Sequence, residues 1–122
     1  MRQWEVWQVL WVHEDGTAKE RPALILSPTN RISTGDDVWV AKFTKTQRES
    51  DYRIEFDSAD PSFASTGLKE TCYLFLDQLR PLPQVGGFLL RYRGKVESFN
   101  AMMVAIMLKQ CIAKMNPKPP VP

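Results

Sequence analysis

The run Gln3-Trp4-Glu5-Val6-Trp7-Gln8-Val9-Leu10-Trp11-Val12 carries large apolar residues at both odd and even positions. Successive side chains of a strand point to opposite faces, so Trp4, Val6, Leu10 and Val12 share one side and Trp7, Val9 and Trp11 the other. A strand of this kind is buried on both sides. It cannot sit in a flat sheet with one wet face, and it calls for a small sheet bent strongly on itself or closed into a barrel.

The rest of the chain supplies partners for that strand. A polar segment with an Asp15-Gly16 pair leads to Pro22-Ala23-Leu24-Ile25-Leu26, in which Pro22, lacking a backbone N–H, suits the first strand position. Ser27-Pro28-Thr29-Asn30 ends this second strand, and after a loop closing at Gly35-Asp36-Asp37 a third runs from Val38 to Thr44. Tyr52-Arg53-Ile54-Glu55-Phe56 alternates apolar and charged residues, as a strand with one face in the core and one in water does. Residues 58–67 read as loop, Thr71–Leu76 as a strand running on to Arg80 and stopped by Pro81 and Pro83, and Phe88–Tyr92 as a short final strand.

One helix is expected, from Ser98 as N-cap to about Met115, with Asn116-Pro117 ending it. Phe99, Met102, Met103, Ile106 and Ile112 form a stripe at helical spacing, and Val104, Met107, Leu108 and Cys111 make the other side apolar too. Such a helix should be covered on more than one side, either because it lies as a single helix across a barrel or because its end makes a dimer contact. The whole is an α+β fold, a small strongly bent antiparallel sheet or SH3-like barrel with a C-terminal helix. It forms one domain over residues 1–116, followed by a mobile proline-rich tail at 117–122.

Composition narrows the function classes. A chain of 122 residues with 43% apolar content fills one core, not two. No run approaches the roughly 18 apolar residues of a membrane span, and Met1-Arg2-Gln3-Trp4-Glu5 lacks the layout of a signal peptide, so a cytoplasmic location and no membrane contact are expected. Cys72 and Cys111 lie in apolar surroundings and read as reduced core thiols. With His13 the only histidine and no paired Cys/His spacing, no metal site and no cofactor are expected. The net charge of +2 announces no nucleic-acid partner by itself.

Several segments, taken in order, resemble the MazF/PemK/CcdB fold and within it the MazF/PemK toxins of type II toxin–antitoxin systems. They are Trp4-Glu5-Val6-Trp7, Glu20-Arg21-Pro22-Ala23-Leu24-Ile25-Leu26-Ser27, Thr44-Lys45-Thr46-Gln47 after the third strand, Leu76-Asp77-Gln78-Leu79-Arg80, and Gly94-Lys95-Val96 ahead of the helix. The resemblance implies a toxin endoribonuclease that cleaves single-stranded RNA without metal, the ribose 2′-oxygen attacking the adjacent phosphorus to leave a cyclic phosphate. It further implies a homodimer and a cognate antitoxin whose disordered acidic end folds onto the toxin.

On that reading the candidate catalytic residues are Arg21, Thr44, Asp77 and His13. The Arg21 guanidinium stays charged and presents a planar fork to phosphate oxygens, although a strand-start arginine paired with Glu20 or Glu14 would look the same in sequence. Thr44 offers a hydroxyl beside it, or is simply a residue that favours strands. Asp77 is the candidate general base, or the cap of a turn ahead of Arg80; some family members carry arginine two residues before this acid, where Phe75 stands here. His13 titrates nearest neutrality but sits in a loop. Lys42, Lys45, Thr46, Gln47, Arg48 and Arg53 are the candidate RNA-binding residues, or a solvated basic face. The alternative function is protein binding on the same fold, by a non-catalytic module or a gyrase-binding member. The end Met115-Asn116-Pro117-Lys118-Pro119-Pro120-Val121-Pro122 lacks the Trp-Gly-Ile helix tip of the gyrase-binding CcdB.

Overall fold

The computed structural model of the chain describes residues 1–115, so the proline-rich tail expected at 117–122 lies outside the described residues. In order come β1 (Glu5–Val12), β2 (Ala18–Ile25), a short helix α1 (Thr29–Ser33), β3 (Val38–Thr44), β4 (Arg53–Phe56), a 3₁₀ turn (Pro61–Thr66), β5 (Cys72–Leu82), β6 (Leu89–Lys95) and the long helix α2 (Ser98–Met115). The strands make one 6-stranded sheet in the order β4-β5-β3-β2-β1-β6, every pair antiparallel.

Both faces of the sheet are covered, as the double apolar pattern of β1 requires. Val6 packs with Leu24, Ala41, Phe43, Leu74 and Val104 on the side that carries α2, while Val9 and Trp11 pack with Ala23, Ile25, Val40, Leu82 and Ile32 of α1 on the other. The sheet bends strongly but does not close, since β4 and β6 remain its edges. The 3₁₀ turn presses against β6 instead: a Cβ on Gly94 would stand 2.3 Å from the Ser65 carbonyl oxygen, and one on Gly67, which has φ +70°, would stand 2.2 Å from that of Arg93.

Pro81 does not stop β5, which continues to Leu82. Its partner Trp39 donates its N–H to Ser27 Oγ at 2.7 Å and accepts at its carbonyl from Leu26 at 2.9 Å. Both backbone groups of Trp39 are therefore turned toward β2, and a proline opposite costs the ladder nothing. The 3₁₀ turn and α1 were read as loop, being too short for helical periodicity; Asp60 starts the 3₁₀ turn by accepting from the Ser62 N–H at 2.9 Å.

The structure decides which side of α2 lies on the sheet. Ala101, Val104 and Cys111 are the buried residues, whereas Phe99, Met102, Met103, Ile106 and Ile112 are all exposed, Phe99 at 69%. The smaller residues let the helix lie close to the sheet, and the Cys111 thiol donates to the Leu76 carbonyl at 3.3 Å.

Gly94→Ala would force a methyl group into backbone atoms of Ser65 and Thr66. We expect it to lower the unfolding free energy by about 1–3 kcal/mol, the usual cost of overpacking, read as a shifted urea midpoint.

Candidate functional site

The β2–β3 ladder ends at the Ala23–Lys42 pair, next to Pro22, which has no N–H to extend it. Beyond that point lies a cleft of about 260 Å³, lined by Arg21 and Pro22 from β2, Phe43 to Thr46 from the end of β3, Leu68 to Glu70, Cys72 and Arg93. Strand alternation puts Arg21 on the same face as Ala23, and hence on the same face as Lys42 and Thr44.

Arg21 is half-buried, and its guanidinium has no ion pair or side-chain hydrogen bond among the described residues. Glu20, its expected partner, points away and pairs with Arg91 at 2.9 Å. Thr44 Oγ1 accepts from the Thr46 N–H at 3.2 Å and keeps its own proton to donate. Arg93, which the sequence reading passed over, is held in the cleft by donating to Gln8 Oε1 at 2.9 Å and to the Gly67 carbonyl at 2.7 Å. The one signal for it was its place directly ahead of Gly94. Lys69 and Glu70, also passed over, line the cleft, and Glu70 pairs with Lys45 at 3.1 Å.

Asp77 and His13 do not line this cleft. Between the Ala41–Leu79 and Phe43–Leu74 pairs, Lys42 alone on β3 faces Phe75, Leu76, Asp77 and Gln78 on β5. The extra residues bulge and turn β5, carrying Asp77 to the rim of a different groove on the α2 side, with Trp39, Leu79, Leu108 and Ile112. There Arg48 binds it at 2.6 Å and Ser50 donates to it at 3.3 Å. His13 sits in the β1–β2 hairpin, which its N–H helps to close on the Thr17 carbonyl at 2.7 Å.

The candidate RNA-binding residues divide among several places. Lys45 and Thr46 line the cleft. Gln47 donates to the Tyr73 hydroxyl, and the Arg53 guanidinium lies 5.7 Å from the same ring. Arg48 lies 4.3 Å over Phe75, which is only 2% exposed, so Phe75 is an aromatic floor under an arginine from the loop. Lys42 lies 5.1 Å over Trp11, and burial together with the charges of Arg21 and Arg80 lowers its ammonium pKa. Among the described residues no three His, Cys, Asp or Glu side chains converge as metal ligands, and no helix is long and apolar enough to cross a membrane.

Burial, reinforced by Glu70 and opposed by Arg93, pushes the Cys72 thiol up to about 11. A raised thiol pKa leaves little thiolate at neutral pH, and the thiolate is the nucleophile. Iodoacetamide labelling of Cys72, followed by mass spectrometry, is expected to be slow at pH 8 and to climb with pH toward a midpoint near 11. A midpoint near that of a free thiol would contradict the burial argument.

Comparison with known proteins agrees with this architecture. No curated protein matches the chain in sequence. The fold is similar to that of the Mycobacterium tuberculosis toxin MazF-mt6, with TM-score 0.69 and 21% identity over 88% of this chain and 95% of that one. An endoribonuclease in complex with its cognate antitoxin from Mycobacterial species gives 0.64 and 20% over 99% of both chains. A MazE–MazF structure from Deinococcus radiodurans gives 0.70 and 14% over 93% and 96%. Residues 2–112 match the family model of the PemK-like, MazF-like toxins of type II toxin–antitoxin systems. That match spans nearly all of the sheet and most of α2, including the Arg21–Thr44 cleft, and the chain belongs to this toxin family.

Proposed function

We propose that this chain is a toxin endoribonuclease that cleaves single-stranded RNA in the cytoplasm, needs no metal ion, works as a homodimer and is neutralised by a cognate antitoxin. The observation that carries this reading is the unpaired Arg21 guanidinium beside the Thr44 hydroxyl, on one face of a cleft large enough for a phosphodiester. Similar folds described as an endoribonuclease with its cognate antitoxin and as MazE–MazF support the activity and the partner.

In the proposed reaction the 2′-oxygen bonds to phosphorus, the bond from phosphorus to the 5′-oxygen breaks, and a cyclic phosphate and a 5′-hydroxyl result. Charge builds on the non-bridging phosphate oxygens as the attack proceeds. Arg21 binds those oxygens with two parallel N–H donors, and Thr44 donates its hydroxyl proton to one of them. Glu70 takes the 2′-hydroxyl proton and the 5′-oxygen takes one from water. Glu70 is the carboxylate on the cleft wall, released for that work when substrate phosphate draws Lys45 away from it. Asp77, tied to Arg48 on the other groove, has no part in this arrangement.

Purified protein incubated with a long single-stranded RNA in EDTA is expected to cut at repeated sites and leave cyclic phosphates. Arg21→Ala, checked for folding, should lower the rate about 10²–10³-fold, and Thr44→Val, which removes one hydrogen bond to charge, about 10- to 100-fold. The second reading is a non-catalytic binding module, favoured by the distance of Asp77 and His13 from the cleft. Absence of cutting on every RNA tried would establish it instead.

The homodimer reading rests on α2, whose outer side leaves Phe99, Met102, Met103 and Ile106 uncovered in the single chain. Ile106→Glu should shift sedimentation from dimer to monomer at micromolar concentration, while Glu14→Gln in the β1–β2 hairpin should not. A wild-type chain that sediments as a monomer would remove the homodimer from the reading.

A further inference from the structure

The face that carries Arg21 continues, away from the cleft, into a cluster of cations around one tryptophan. Trp11 is only 5% exposed, and two side chains lie over its ring: Lys42 Nζ at 5.1 Å and the Arg80 guanidinium at 4.2 Å. Arg80 is fixed further by donating from Nη1 to the Val12 carbonyl. Lys19 stands directly across from Trp11 in the β1–β2 ladder, and Arg21 follows two residues later on the same face. Four cations from three strands thus share one face. The acid between Lys19 and Arg21, Glu20, points the other way and is bound by Arg91.

Neither Lys42 Nζ nor Arg80 has a carboxylate partner among the described residues. Like charges held together raise the energy of the free protein, and burial deepens the effect at Lys42. The two side chains are also ordered in advance, their stems and planes held on the indole, so binding an anion costs little further side-chain entropy. The remaining free donors of the Arg80 fork and of the Lys42 ammonium are what a phosphate oxygen requires. Because Trp11 is covered, it serves as a platform for the cations and does not itself stack on a base.

We infer that Lys42 and Arg80, seated on Trp11, form a second phosphate subsite that binds the phosphodiester next to the one held by Arg21 and Thr44. This inference rests on the ribonuclease reading and extends it. The cations form a line from the cleft across β2, β3 and β5, and a polymer with a charge at every residue fills consecutive subsites of that kind. The subsite positions the strand, so it acts on affinity and register and leaves the chemical step to the cleft.

The test uses the full chain and a short 2′-O-methyl oligoribonucleotide, which binds but offers no 2′-hydroxyl to react. Fluorescence anisotropy is followed across a salt series for wild type, Lys42→Met, Arg80→Gln and the control Lys109→Gln on the outer side of α2, each checked for its unfolding midpoint. Losing one phosphate contact should flatten the plot of log K against log salt by about 0.7 and raise Kd several-fold in Lys42→Met and in Arg80→Gln, with the control unchanged. On cleavable RNA, the same two variants should raise KM and leave kcat near wild type. If wild type binds and cuts RNA but both variants keep the full salt slope and KM, the subsite is overturned and the ribonuclease reading stands. If wild type neither binds nor cuts, both fall. If the variants lose affinity for poly-glutamate but not for the oligoribonucleotide, the cluster serves an acidic protein segment and the phosphate subsite is overturned.

Discussion

The places of Phe75, Asp77 and Arg80 all follow from the mismatch between β3 and β5. Where Lys42 alone faces Phe75 to Gln78, the ladder between the two strands is interrupted and β5 turns. The first part of β5 is then shared between the end of β3 and the edge strand β4, and the second part pairs with the start of β3 alone. That bend buries Phe75 under Arg48 and sends Asp77 to the helix side. It also returns Arg80 to the level of Trp11, beside Lys42. A bulge adds local twist and re-aims side chains, and here it separates a paired acid from unpaired cations.

That separation gives the two surfaces different chemistry. On the α2 side, a groove of about 1210 Å³ is lined by Leu26, Trp39, Leu79, Leu108 and Ile112, with its charged residues at the rim largely paired, Arg31 with Asp36 and Arg48 with Asp77. On the opposite face, Arg21, Lys42 and Arg80 carry charge that no acid offsets. An apolar groove with a satisfied polar rim favours protein, whereas a row of unneutralised cations favours a polyanion. On the proposed function, RNA would meet the second surface and an antitoxin the first.

The double apolar pattern of β1 foretold a sheet covered on both sides, and the alternation in Arg53-Ile54-Glu55-Phe56 foretold which residues of β4 face outward; both hold in the structure. Arg21 and Thr44 were singled out because Glu20 to Ser27 and Thr44 to Gln47 resemble segments of the toxin family, and the structure brings the two to one cleft. Arg93 was not, because its role depends on Gln8 and on the Gly67 carbonyl, both remote in sequence. The facing of α2 was not legible, because helical spacing says which residues share a side and not which side lies down. Ala101, Val104 and Cys111 won that place by being small.

What the sequence alone determined is therefore local and periodic: the strands and the long helix. These follow from side-chain alternation, turn residues and proline's missing N–H, each of which acts within a few positions. The tertiary structure alone decided that β5 runs through Pro81, that Asp77 leaves the cleft, and that Lys42 and Arg80 meet on Trp11. Those outcomes depend on how two strands, one ending at Thr44 and the other beginning at Cys72, pair across a bulge. No periodicity within either strand records that register, because it is set by the packing of both faces at once.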